Sequence, residues 1–315
     1  MDGFEVQTQA RRIVNQWLWL LGCFLSLATI SIFTLWSVNT SKLNNVIRRP
    51  VSLALCLVTR DESIDLYEWV EYHKSIGVSN IIVIENNSSK SSFDTIGNFI
   101  LTGFVIHYSY FSHQSTGVNN QHYAYEFCLK NFRHQFSHMG FLDTDEFIVL
   151  KNNSATVIDL VEKYKDYGGL TLNWMFIGSN GHITRPQGGI LRNYNQCYKN
   201  YHVKSIVNLK YVVGYSMDPH SFPYIDKYFA VDTNYDRVTG PFNPANKSDP
   251  SVHLYDIAYI NHYFLKSKED FINKHIRGSG DGGRVPIGVW DDMSKAFTKS
   301  CEFLQKRNIS DETLL

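Results

Sequence analysis

The chain lacks any excess of charge. Its 315 residues hold 30 lysines and arginines against 30 aspartates and glutamates, for a formal net charge of zero. Binding nucleic acid by neutralising phosphates requires a basic surplus, so no nucleic-acid partner is expected, and any bound anion must be met by a local site. Cysteine is scarce, five in all, and no two form a CxxC pair, which argues against a structural zinc site. There is no internal repeat and no low-complexity tract, and nothing resembles the two-metal cluster of a phosphoesterase.

Long hydrophobic runs are also missing, with one exception. Residues 17–36, WLWLLGCFLSLATISIFTLW, carry no charge over about the 20 residues a helix needs to span a bilayer. Trp17, Trp19 and Trp36 sit towards its ends, where aromatic belts lie. A signal peptide would be shorter and end in a small-residue cleavage site, and a buried core helix would show a polar face. The expectation is a head at 1–16, a membrane anchor at 17–36 and a stem at 37–50. Arg11 and Arg12 precede the anchor while Lys42, Arg48 and Arg49 follow it, so charge does not orient it. No second span follows, which leaves the body on one side. Outside the span, Cys56, Cys128, Cys197 and Cys301 suffice for two disulfides. Sequons at Asn39, Asn86, Asn87, Asn152, Asn246 and Asn308 fit a lumenal body without requiring one.

What is present is ordinary globular composition, 43% hydrophobic and 19% charged, enough for one large domain or two small ones. VSLALCLV at 51–58 reads as a strand buried on both faces. SIDLYEWVEYHKSIG then reads as a helix, with Leu66, Trp69, Val70 and Ile76 at helical spacing, Ser63 as N-cap and Gly77 as stop. IIVI at 81–84 is a second strand, so the unit predicts parallel pairing through a right-handed crossover. A helix at 93–101, a strand at 104–110, a helix over 121–133 and a strand at 140–150 continue the alternation. This predicts an α/β fold with an open, mostly parallel sheet over 51–150, with ligands bound beyond the carboxyl ends of its strands. After 150 the chain becomes rich in Tyr, Asn, Gly and His, and a loop-rich lobe over 151–315 is expected.

Three of those strand ends carry acceptors. FLDTDEF at 141–147 sets Asp143, Asp145 and Glu146 among apolar residues. On a strand, positions i and i+2 share a side, so Asp143 and Asp145 would point together and call for a cation such as Mn²⁺ or Mg²⁺. TRDE at 59–62 adds Thr59 and Asp61, and ENNSS at 85–89 adds Glu85, Asn86 and Ser88. A solvated strand end is the bland reading of each.

Together, TRDESIDLYEWVEYHKSIGVSNIIVIENNSS, the helix from Gln121 to Arg133, FLDTDEF, WMFIGSNGH at 174–182, VKSIVN at 203–208 and INHYFLKSKEDFINKHIRG at 260–278 resemble the family 92 glycosyltransferases and their family-2-like relatives. The resemblance spans about 51–282 and implies a GT-A fold, a nucleotide-sugar donor, a divalent metal and a type II Golgi anchor with a lumenal body. It implies that Asp143 and Asp145 are the DxD ligands and that His262 completes the metal site. Lys266 and Arg277 would offset the diphosphate of the leaving group. Glu85, Asn86 and Ser88 would meet the donor, although Lys90 stands where relatives often carry an Asp. Trp174, Gly178, Gly181 and His182 would form the acceptor platform, with the Trp face against a sugar.

An inverting transferase needs a carboxylate base, for which Asp281, Asp218 and Asp291 are the candidates. The expected function is transfer of a sugar, galactose by resemblance to UDP-galactose enzymes, onto a glycan hydroxyl. The alternative is a membrane-tethered carbohydrate-binding or scaffold protein with the same fold and no turnover.

Overall fold

The computed structural model describes residues 50–109, 120–152, 155–215, 218–243, 254–278, 284–297 and 300–301. The expected anchor, most of the stem and the candidate base Asp281 lie outside them. No helix among the described residues is long and apolar enough to cross a membrane.

The first half follows the hydrophobic pattern. Strand β1 (Leu53–Thr59) leads through helix α1 (Ser63–Ser75) to β2 (Asn80–Glu85), then α2 (Phe93–Leu101), β3 (Val105–Tyr108) and α3 (Asn120–Phe132). Strand β1 alternates between two cores. Leu53, Leu55 and Leu57 pack with Leu66, Trp69 and Val70 of α1 and with Ile96 and Phe99 of α2. Ala54 and Cys56 pack with Ala124, Tyr125 and Cys128 of α3 on the other face. Both faces of the strand are therefore covered by helices, which is why it reads as a continuous apolar run. Helix α1 starts with Ser63 as its first helical residue, one position earlier than expected, and Glu62 is the N-cap. It stops at Gly77, whose φ of +92° favours glycine and whose N–H returns to the Lys74 carbonyl at 3.0 Å.

The stretch expected as one strand at 140–150 is two. Strand β4 (His138–Phe141) pairs parallel with β1, whereas β5 (Glu146–Leu150) pairs antiparallel with a later strand, β10 (Ala258–His262). Helix α4 (Val157–Lys163) follows, then β6 (Gly169–Ile177), the short α5 (Ile190–Asn193) and the long β7 (Cys197–Asn208). Two-residue strands β8 (Ala230–Val231) and β9 (Arg237–Val238) precede β10, and α6 (Lys268–Arg277) and α7 (Gly288–Ala296) close the described chain.

The sheet order is β3-β2-β1-β4-β7-β6-β10-β5, with β8 and β9 branching from β6. It is parallel through β3-β2-β1-β4 and mixed beyond. After residue 150, β6, β7 and β10 continue the same sheet. Only residues 142–145 join β4 to β5, although three strands lie between them. A chain that short reaches at most about 18 Å, while four steps across a flat sheet need about 19 Å. The sheet must therefore curl so that β5 returns to the end of β4. Disulfides Cys56–Cys128, tying β1 to α3, and Cys197–Cys301, tying the start of β7 to the C-terminal segment, use all four cysteines outside the hydrophobic run.

Candidate active site

Parallel pairing places the carboxyl ends of β1, β2 and β4 on one sheet edge. Two turns there are stapled together. Asn86 N–H donates to the Thr59 carbonyl at 2.8 Å, and Asp61 N–H donates to Ser88 Oγ at 3.1 Å. The Asp61 carboxylate accepts from Ser89 N–H at 2.6 Å and from Ser89 Oγ at 2.7 Å. Burial opposes its charge, but the Ser89 donors, Arg60 and Arg277 hold its carboxyl below the usual range. Glu85 is committed elsewhere. Its carboxylate accepts from Ser92 N–H at 2.8 Å and Ser92 Oγ at 2.9 Å, at the start of α2, and lies 3.2 Å from His107 Nε2. Thr59 is buried with Oγ1 unpartnered, Asn86 is buried, and Lys90 is exposed.

Asp143 and Asp145 sit in the turn between β4 and β5, closed by a 3.0 Å bond from Glu146 N–H to the Asp143 carbonyl. The same-side geometry expected of a strand does not apply. Asx residues stabilise tight turns, and this one gives each carboxylate its own cation. Asp143 Oδ2 accepts from Lys204 Nζ at 3.0 Å, and its Oδ1 from Gln121 Nε2 at 3.0 Å. Lys204, 1% exposed, also lies 3.3 Å from Glu146 Oε2. Burial disfavours its charge, yet Asp143 and Glu146 raise its pKa well above that of a free lysine. Glu146 is fully buried and burial dominates, pushing its carboxyl up to about 8 despite Lys204.

Asp145, 2% exposed, accepts from Lys274 Nζ at 2.6 Å, and its other oxygen lies 3.6 Å from His262 Nε2. Burial opposes ionisation, but Lys274 and His262 outweigh it and hold the carboxyl well below the usual range. Burial lowers the pKa of His262, and its Nδ1 has no partner.

A second network borders this one. Asp65 in α1 is paired with Lys266 and Arg185, and Arg185 also reaches Asp270 at 2.8 Å. Arg277 donates to Glu62 at 2.6 Å and to the Asp61 carbonyl at 3.3 Å. Helix α6 begins at a Ser267 cap and presents Lys274 and Arg277, three residues apart, on one face. Arg185, Lys266, Lys274 and Arg277 line an open cleft of about 210 Å³ together with Asp61, Glu62, Asp65, Glu269 and Asp270. These cations are spread over distant segments of the chain. Lys204, Lys274, Arg185 and Gln121 were missed from sequence, and the one signal was a lysine among the strand residues Val203, Ile206 and Val207.

The expected acceptor residues disperse. Trp174 is 8% exposed, stacked on His202 at 5.1 Å and covered by His262 at 4.2 Å and His220 at 4.9 Å. It offers no open face to a sugar. A Cβ on Gly178 would meet Phe297 at 2.8 Å, so this glycine admits a packed ring. Gly181 is exposed at φ +76°, with open space where a Cβ would be. The His182 ring lies edge-on to Tyr194 at 5.5 Å. Asp218 accepts from His220 N–H at 2.8 Å, and Asp291 is bonded to Lys268 at 2.8 Å.

Among the described residues, no three His, Cys, Asp or Glu side chains converge as they stand on a metal position. The donor types nevertheless suit Mn²⁺ or Mg²⁺. Such ions in nucleotide sites take one or two carboxylates and fill the rest with phosphate oxygens and water. Asp145 Oδ1 and His262 Nε2 lie 3.6 Å apart, wider than the roughly 3.0 Å between adjacent octahedral ligands about 2.1 Å from an ion, so the pair supplies two donors of suitable type without preformed coordination geometry. Asp143 stands two residues away, its side chain 35% exposed.

A charged cleft at the carboxyl ends of parallel strands is the position at which open α/β sheets bind ligands. Residues 52–268 match the model of "Glycosyltransferase family 92", more than two thirds of the chain, and the chain belongs to that family. A glycosyltransferase family 92 protein of Oryza sativa subsp. japonica is 26% identical over 150 residues, covering 47% of this chain and 25% of the relative. One from Ricinus communis is 29% identical over 140 residues, covering 44% and 24%. The chain thus spans about a quarter of the length of these curated relatives. Among solved structures, S. aureus TarS residues 1–349 aligns with a TM-score of 0.33 at 12% identity, covering 50% of this chain and 47% of that one. A complex of the same fragment with UDP aligns with the same score at 14% identity. Likeness at that level carries no functional weight.

Proposed function

We propose that this chain transfers a sugar from a nucleotide-sugar donor to a hydroxyl of a glycan acceptor, with inversion, and that UDP-galactose is the first donor to test. One observation carries the reading: the ionised, buried Asp145 is held between His262 and Lys274, and Lys274 in turn lines a cleft with Arg185, Lys266 and Arg277. Such a wall suits a diphosphate, whose charge grows as the glycosidic bond breaks. Preorganised cations that meet charge developing in the transition state lower the barrier more than ones that must first reorganise. Asp145 and His262, with Asp143 beside them, would hold Mn²⁺ or Mg²⁺, which when bound supplies Lewis-acid neutralisation of the leaving diphosphate.

The chain's own groups do the remaining work. Arg277 locks α6 to the turn after β1 through Glu62, so Lys274 is presented from a fixed helix. The stapled turns at 59–61 and 86–89 form the neighbouring edge for ribose and base. Of the candidate bases, Asp291 is engaged by Lys268, which leaves Asp218, whose charge reaches His202 beside Trp174, and Asp281. The two disulfides support an oxidising compartment, in keeping with a type II Golgi protein anchored by 17–36 with its body lumenal.

The test is a panel of UDP-sugars with purified full chain, with and without Mn²⁺. Metal-dependent UDP release from one donor is expected, reduced about 100-fold or more in Asp143→Asn and Asp145→Asn. Near wild-type turnover in Asp145→Asn would overturn the assignment. Binding of UDP without turnover of any donor would favour the carbohydrate-binding alternative.

A further inference from the structure

We propose that Lys274 is a resident counter-ion that holds Asp145 until a divalent cation takes its place, and that the displaced ammonium then serves the nucleotide diphosphate. The proposal rests on the nucleotide and cation reading above, and concerns which of the site's two carboxylate-bound lysines exchanges.

The two lysines differ in what they can do. Lys204 is 1% exposed and bonded to both Asp143 and Glu146. Moving it would strand two carboxylates, one of them fully buried, and its own charge has no route to water. Lys274 is 29% exposed. It makes one short bond, to Asp145 Oδ2, while its ammonium lies 5.7 Å from the Phe264 ring. Glu62, the next anion whose charge it feels, is already held by Arg277 at 2.6 Å. The ammonium therefore occupies the one anion that a cation beside His262 needs, from a side chain that already lines the cleft.

The neighbours give the exchange a direction. Lys266 is paired with Asp65 and adds like charge beside Lys274. Once Asp145 is taken by a divalent ion, Lys274 is left beside Lys266 and the ion, and the other carboxylates of the cleft wall near it are already held: Glu62 by Arg277, Asp270 by Arg185 and Ser267, and Glu269 by the Arg185 amide. A diphosphate in the cleft supplies the missing anion. Cation and nucleotide should then bind with positive coupling, because each relieves a cost that the other creates, and by linkage the coupling is reciprocal. A site whose binding-competent form is only a fraction of the population shows an apparent affinity reduced by that fraction. Lys274 resting on Asp145 imposes such a reduction on the cation.

The experiment measures Mn²⁺ binding to the purified full chain from the electron paramagnetic resonance signal of free Mn²⁺, with and without UDP. Lys274→Met is expected to bind Mn²⁺ about tenfold more tightly than wild type when UDP is absent, as for a resting fraction of about nine tenths. UDP should then improve Mn²⁺ affinity less in the variant than in wild type. Lys274→Arg, whose guanidinium can meet both carboxylate oxygens, should bind Mn²⁺ no more tightly than wild type. It keeps the test open if the Met variant does not fold. Lys268→Met removes a charge from the same helix, one paired with Asp291 rather than Asp145, and should change affinity less than about twofold.

Unchanged affinity in Lys274→Met, tighter binding in Lys274→Arg, or equal tightening in Lys268→Met each overturns the proposal. Wild-type protein that binds UDP but no Mn²⁺ sinks the exchange and leaves the nucleotide reading standing. Wild-type protein that binds neither sinks both.

Discussion

Lys204 is the residue on which the charge of the β4–β5 turn depends. Removing one partner of a buried ion pair leaves an uncompensated charge and costs about 3–5 kcal/mol. Lys204→Met is therefore expected to lower stability by about 3 kcal/mol at neutral pH, measured by urea unfolding. The loss should grow as pH rises past about 8, where Glu146 would have to ionise without its cation, and Glu146→Gln in the same background should remove that added loss. A second prediction concerns His73, buried in α1. Its Nδ1 donates to the Trp69 carbonyl at 2.8 Å, and its Nε2 accepts from Ile148 N–H at 3.4 Å. The neutral ring satisfies both, whereas a protonated Nε2 would confront an amide hydrogen. Burial accordingly lowers its pKa from 6.5 to about 3. Between those values the unfolded chain binds the extra proton, so stability is complete above about pH 6.5 and falls as pH drops towards 3. His138 and His220, lowered to about 4 and about 3 chiefly by burial, act in the same sense. His73→Gln should flatten part of this acid limb in a pH series of thermal midpoints. An unchanged limb would mean that His73 is not neutral in the fold.

At the scale of elements, a short turn and a packed helix explain where expectation and structure part. FLDTDEFIVL has the apolar content of one strand, but its two halves pair with different partners, β1 and β7 on one side and β10 on the other. Period-2 patterning cannot report a change of partner. The turn that results is what separates Asp143 from Asp145 and hands them to lysines on β7 and α6. Gly178 makes the same point at the end of β6. It lies against Phe297, which closes a small core with Leu265, Phe271 and Trp290. Gly178→Ala would bring a methyl within 2.8 Å of that ring, an overpacking that costs about 1–3 kcal/mol. The expected outcome is a lowered thermal midpoint. A selective rise in acceptor KM at unchanged stability would instead restore the glycine to the acceptor site.

For the whole molecule, covalent links reinforce a sheet that one chain segment cannot complete. Cys56 and Cys128 lie within the core between β1 and α3, and Cys197 and Cys301 join β7 to the C-terminal segment. Their sequence separations of 72 and 104 constrain the unfolded chain strongly, and such links contribute about 2–4 kcal/mol each. Reduction under denaturing conditions followed by refolding in reductant should give a lower thermal midpoint than the oxidised protein. Cys197→Ser with Cys301→Ser should reproduce part of that loss. Equal midpoints would mean that the bonds carry no stability.

Local chemistry was enough to read the α/β class, the strands and helices of 51–109, the parallel pairing of β1 with β2 and the edge to which Asp61, Asn86 and Ser88 belong. Each of these follows from hydrophobic period, a glycine stop or the hand of a crossover, all written within about 30 residues. The family likewise was legible in linked motifs. The partners of the carboxylates were not. Lys204 reaches Asp143 from 61 residues away, and Lys274 reaches Asp145 from 129, separations at which sequence spacing says nothing about distance. Burial of Trp174 beneath three imidazoles, and the withdrawal of Glu85 to cap α2, were equally invisible. Exposure is a property of how layers close over a side chain, not of the side chain itself. The sequence by itself determined which residues bear charge and which strands end in acceptors, while only the curled sheet, by returning β5 to β4 and bringing β7 and α6 against their junction, decided which cation faces which carboxylate.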